Sequence, residues 1–100
     1  MQLGDLFQRT YNEMRERPSL GVIHPIFQRL SSVLAAREPR EYPTPLQYEL
    51  MMKSYAKNTD TVGAKRLYEQ FQLTGQQPTA LFYAALCNTT AKARGQMRQS

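Results

Sequence analysis

The amino-acid sequence predicts an all-α fold: antiparallel helical hairpins stacked as a short α-solenoid of about five helices. Three observations predict it. Apolar residues recur at three- and four-residue spacings in successive stretches, the period of a helix with one buried face. No stretch alternates apolar and polar residues as a half-buried strand does. Prolines, glycines and short polar runs punctuate the pattern, as links between helices require.

The first helix is expected from Leu3 to about Glu16, with Leu3, Leu6, Phe7, Thr10, Tyr11 and Met14 on one face. Pro18, Ser19 and Gly21 interrupt it. The second is expected to start at His24 or Pro25, since proline suits a first helical turn, and to run to about Arg37 with Ile26, Phe27, Leu30, Val33 and Leu34 inward. Pro39 and Pro43 mark the following loop. Thr44-Pro45 opens a third helix that ends near Lys57, with Leu46, Leu50, Met51 and Tyr55 facing in and Gln47 and Glu49 facing out. Thr61 is the expected cap of a fourth helix, whose buried stripe is Ala64, Leu67, Tyr68 and Phe71 and whose stop is Gly75. Thr79 opens a fifth helix that fades near Arg94. The division that follows is a hairpin over 1–43, a unit over 44–78, a partial unit over 79–94 and a frayed basic tail over 95–100.

One hundred residues make one domain at most. The net charge of +5 suggests an anionic partner, and RNA is the one that such charge favours. The single cysteine, Cys87, has no partner for an internal disulfide, and its apolar neighbours predict a buried structural thiol. No apolar run reaches the roughly 20 residues that cross a bilayer, so no membrane is expected among the partners. Arg9, Arg15 and Arg17 beside an apolar stripe mimic a transit peptide, but Asp5, Glu13 and Glu16 favour a structural helix.

The chain also repeats itself. Shifted by 35 residues, Thr44-Pro-Leu-Gln-Tyr48 lies on Thr79-Ala-Leu-Phe-Tyr83, and Ala56-Lys57 lies on Ala91-Lys92. Five of the fifteen positions from 44 to 58 are identical at this offset, where chance supplies about one. Within Thr44–Pro78, Leu46-x-Tyr48 opens the first helix and Tyr55-Ala56-Lys57 closes it. Asp60 sits in the turn, Ala64-x-x-Leu67-Tyr68-x-x-Phe71 lines the second helix, and Gly75-Gln-Gln-Pro78 ends the unit. This unit resembles a pentatricopeptide repeat. The resemblance covers one full repeat and the first helix of a next one, over 79–94. Residues 9–43 fit poorly as a preceding repeat, because Arg29 falls where Ala64 stands.

The resemblance implies stacked hairpins that bind single-stranded RNA, one base per repeat. Carried onto this chain, the reading position after Tyr48 is Glu49, its junction partner is Thr79, and the next reading position is Ala84. The family's usual choice at the first of these is Asn, Thr or Ser. A carboxylate repels phosphate, and alanine offers no side-chain hydrogen bond. Sequence readout is therefore not expected. Phosphate contact without readout leaves Lys53, Lys57, Lys65, Arg66, Lys92, Arg94 and Arg98 as candidates. The fifth helix has no partner helix in this chain, so Leu81, Tyr83, Leu86 and Cys87 are the expected protein interface.

Catalysis finds no support. His24 is the only histidine and is expected in a turn before Pro25. There is no His/Cys cluster for a metal and no glycine-rich phosphate loop, so neither cofactor nor metal is expected. The expected function is that of a non-catalytic scaffold subunit in an RNA-containing assembly. Its partners are then other protein subunits, with RNA nearby or touched through phosphates, or a second copy that completes the repeat array. The resemblance implies a mitochondrial location, on a ribosome or an RNA-processing complex. The alternative is a stand-alone single-stranded RNA binder acting on organellar transcripts.

Overall fold

The computed structural model describes residues 2–77 together with Ala80, Tyr83, Ala84 and Cys87. Its four complete helices are α1 (Leu3–Glu13), α2 (Leu20–Ala35), α3 (Pro45–Lys57) and α4 (Thr61–Thr74), and no strand occurs among the described residues. Ala80, Tyr83, Ala84 and Cys87 are also helical. The fold is all-α.

Local chemistry sets most of the helix ends. Thr44 closes a full capping box: its hydroxyl accepts from the Gln47 amide at 3.2 Å, and the Gln47 side chain accepts from the Thr44 amide at 2.9 Å. Pro45 follows in the first turn, where its missing N–H costs nothing. At the far end of α3 the Thr59 amide donates to Ala56 and the Asp60 amide to Tyr55, a Schellman arrangement. Thr59 takes the left-handed backbone that this closure needs, at φ 50°. Gly75 ends α4 with the same left-handed backbone, at φ 75°, its amide donating to the Gln72 carbonyl, while the Gln76 amide donates to Thr74 Oγ1 at 3.2 Å.

Three boundaries differ from the sequence expectation. First, α1 stops at Glu13 rather than Glu16. Second, α4 is capped by Asp60, whose Oδ1 accepts from the Gly63 amide at 2.9 Å, and Thr61 is the first helical residue. A carboxylate at the positive end of the helix is the stronger acceptor. Third, α2 begins at Leu20, so Pro25 and His24 lie inside the helix and not in a turn. The Ser19 carbonyl already accepts from Val22 and Ile23, which closes the first turn upstream of the proline. Pro25 removes only the bond to the Gly21 carbonyl, near the exposed start of the helix. Helical phase before it buries Ile23 completely.

The helices pack as two consecutive hairpins. α1 pairs with α2 and α3 with α4, while α3 also packs on both α1 and α2. One aromatic from each helix joins a continuous chain of rings. Phe7 meets Phe27 at 5.4 Å, Phe27 meets Tyr48 at 5.3 Å, and Tyr48 meets Phe71 at 4.9 Å, all tilted or edge-on as ring quadrupoles prefer. Ile23, Met51, Met52 and Leu67 fill the space around them.

Two expected inward residues change sides. Leu46 is 47% exposed, because it stands about 200° around α3 from Tyr48, whose stripe faces the core. Val33 is exposed on the outer side of α2. Met52 and Ser54, which the sequence did not single out, are fully buried.

Polar contacts tie the two hairpins together. Asn58 Nδ2 donates to the Pro18 carbonyl and to the Ser54 carbonyl, each at 2.8 Å. Lys57 Nζ donates to the Arg15 carbonyl. Within the second hairpin, Gln76 Nε2 donates to the Pro43 carbonyl at 2.9 Å, joining the end of α4 to the start of α3.

Candidate partner interface

The first helices of the two hairpins, α1 and α3, lie against each other, and α3 carries Glu49, Lys53 and Lys57 of the expected RNA-contact set. Glu49 does not face out as expected. Its residue is 5% exposed, and its Oε2 lies 3.6 Å from Lys53 Nζ. It stands close enough to Tyr11 of α1 that its charge adds to the upward shift that burial imposes on the Tyr11 phenol. The reason is tertiary: α1 covers the face of α3 that an isolated helix presents to water. Glu49 is thus a packing residue between hairpins, and no base edge has access to its carboxylate.

Lys53 is half-committed to that carboxylate, with its side chain 34% exposed. Lys57 is exposed but spends a hydrogen bond on Arg15. Arg15 itself is an exposed cation that the packing brings to the same corner, and it opposes the upward shift of Tyr11. Sequence reasoning missed Arg15 here because it lies 42 positions from Lys57 in the chain. Lys65 and Arg66 are exposed on α4, away from this corner. Thr79, Lys92, Arg94 and Arg98 lie outside the described residues.

At the other end of the stack, Tyr83 sets its ring 6.5 Å from Tyr68 of α4 and is 46% exposed. Cys87 is exposed, not buried as its apolar neighbours suggested. Among the described residues no helix packs over it, so local hydrophobicity alone misassigns it. Leu73, 83% exposed, adds apolar surface on α4. Leu81 and Leu86 lie outside the described residues.

A third feature was not foreseen. Both α2 and α4 pack on α3, but their backbones do not approach each other closely. The gap is a groove of about 890 Å³, with Phe27, Tyr55 and Leu67 at its base and His24 in edge contact with Tyr55 at 6.2 Å. Burial pushes the Tyr55 phenol upward, the Asp60 charge adds to that, and Arg66 opposes it. Among the described residues no group of His, Cys, Asp or Glu is placed to hold a metal ion. None of their helices is long and apolar enough to cross a membrane.

Comparison with family models, with curated proteins and with solved structures finds no match.

Proposed function

We propose that this chain is a non-catalytic helical-repeat scaffold subunit of an RNA-containing organellar assembly, a mitochondrial ribosome or RNA-processing complex. On this reading 44–78 is a pentatricopeptide-like repeat in a short solenoid, and Ala80, Tyr83, Ala84 and Cys87 belong to the first helix of a further repeat. One observation carries the scaffold role over the decoding role. The residue at the base-reading position, Glu49, is buried between α1 and α3 and holds Lys53. A repeat whose reading residue is spent on packing serves as a structural unit. The exposed Tyr83 and Cys87 at the end of the stack supply apolar surface for a neighbouring subunit.

The test follows an epitope-tagged chain through import into mitochondria and gradient sedimentation of the lysate. Co-migration with a large particle that ribonuclease shifts, lost on Tyr83→Asp, is the expected result. Migration as a free small protein overturns the reading. Tight binding of the purified chain to single-stranded RNA, falling steeply with salt, favours the stand-alone RNA binder instead.

A further inference from the structure

We infer that the groove between α2 and α4 is a binding site for a short extended peptide segment of a partner protein, one with an acidic side chain opposite Arg66. The site is separate from the Tyr83 end of the stack and does not rest on the function proposed above.

The groove exists because α3 holds α2 and α4 apart. Its length follows from its walls. The lining runs along α2 from Leu20 to Ser32, about 18 Å at 1.5 Å per residue. That length takes about five residues of extended chain. The volume of about 890 Å³ is within the range of ligand sites and well short of what a three-turn helix fills.

The chemistry of the walls selects a peptide. Gln28 and Ser32 on α2 and Gln70 on α4 are exposed and line the groove, and their side chains bond to no other described residue. A glutamine amide offers both donors and an acceptor, the complement of a peptide group. Two facing walls of such side chains match the two edges of an extended backbone. Arg66 is the groove's exposed guanidinium and is in no ion pair with a described residue, so it presents a free fork to a carboxylate. Asp60 spends Oδ1 on the α4 cap.

RNA fits less well. Base binding needs open aromatic faces. Phe27 is 4% exposed and Tyr55 8%, so their rings form a floor and not a stacking platform.

The experiment is selection of a displayed random heptapeptide library on the intact chain. One enriched heptapeptide is then titrated into the 15N-labelled chain, with decauridylate as a parallel probe. Enrichment of Asp or Glu at one peptide position is expected, with amide shifts centred on Gln28, Ser31 and Gln70. Arg66→Glu is expected to weaken the selected peptide by roughly tenfold or more and to switch the enriched position to Lys or Arg. Enrichment no greater than on blank beads, or enrichment unchanged by Arg66→Glu, overturns the proposal. Shifts of the same amides by decauridylate but not by peptide overturn it in favour of RNA. Arg66 is exposed, and a matching amide spectrum for the variant shows that its fold is intact.

Discussion

Glu49 and Lys53 stand one helical turn apart on α3, carboxylate to ammonium 3.6 Å, with the acid 6% exposed and the base 34%. The pair sits at the seam between the two hairpins. It is an ion pair that the water has partly left, so removing one member costs more than an exposed pair does.

Lys53→Met is therefore expected to destabilise the chain by about 1–3 kcal/mol, because it removes the ammonium that Lys53 sets beside a buried carboxylate. Adding Glu49→Gln is expected to recover part of that loss. Urea unfolding of the two single variants and the double variant measures the coupling. Strictly additive effects mean that the pair contributes nothing.

Two glycines of similar helical position should respond oppositely to alanine. A Cβ at Gly63 meets the Tyr55 ring at 2.4 and 2.5 Å, so Gly63→Ala overpacks the α3–α4 contact. It is expected to cost about 1–3 kcal/mol despite the better helix propensity. A Cβ at Gly21 meets only Ser19 Oγ, at 3.8 Å. Gly21→Ala is expected to stabilise by about 0.4–1 kcal/mol. Thermal melts of the two variants decide both signs.

The α3–α4 turn makes a sharper prediction. Thr59 is a β-branched residue at φ 50°, in a position where glycine is the usual occupant. Thr59→Gly is expected to stabilise by about 1 kcal/mol. The neighbouring Asn58→Ala loses both 2.8 Å bonds and frees the Pro18 carbonyl. It is expected to destabilise by about 1–3 kcal/mol, and amide exchange should rise first at residues 15–20. Unchanged exchange there removes Asn58 as a tie between hairpins.

Alkaline pH tests the aromatic core. Burial is the largest cause of an upward shift at Tyr11, Tyr48 and Tyr55. The folded chain thus keeps phenol protons that the unfolded chain releases near the ordinary value of 10.0. The unfolded state binds fewer protons there, so stability is full below about pH 10 and falls as pH rises through the folded values. Tyr48→Phe is expected to flatten that fall, read as the slope of the urea midpoint between pH 9 and 11. An equal slope means that Tyr48 ionises without opening the fold.

Features set within one turn of chain were legible in the sequence alone. The all-helical pattern, the Thr44-Pro45 start, the Gly75 stop and the Ala64, Leu67 and Phe71 stripe depend on spacing and on caps that reach only three or four residues. What depends on a distant segment was decided by the tertiary structure. Glu49 is buried because α1 lies across it, and Pro25 sits inside α2 because burying Ile23 outweighs one lost hydrogen bond. Arg15 meets Lys57, and Gln28 and Gln70 line one groove, only because packing brings remote positions together. Helical periodicity states which residues share a face. Which face meets water depends on the neighbour across it, and no spacing along the chain encodes that.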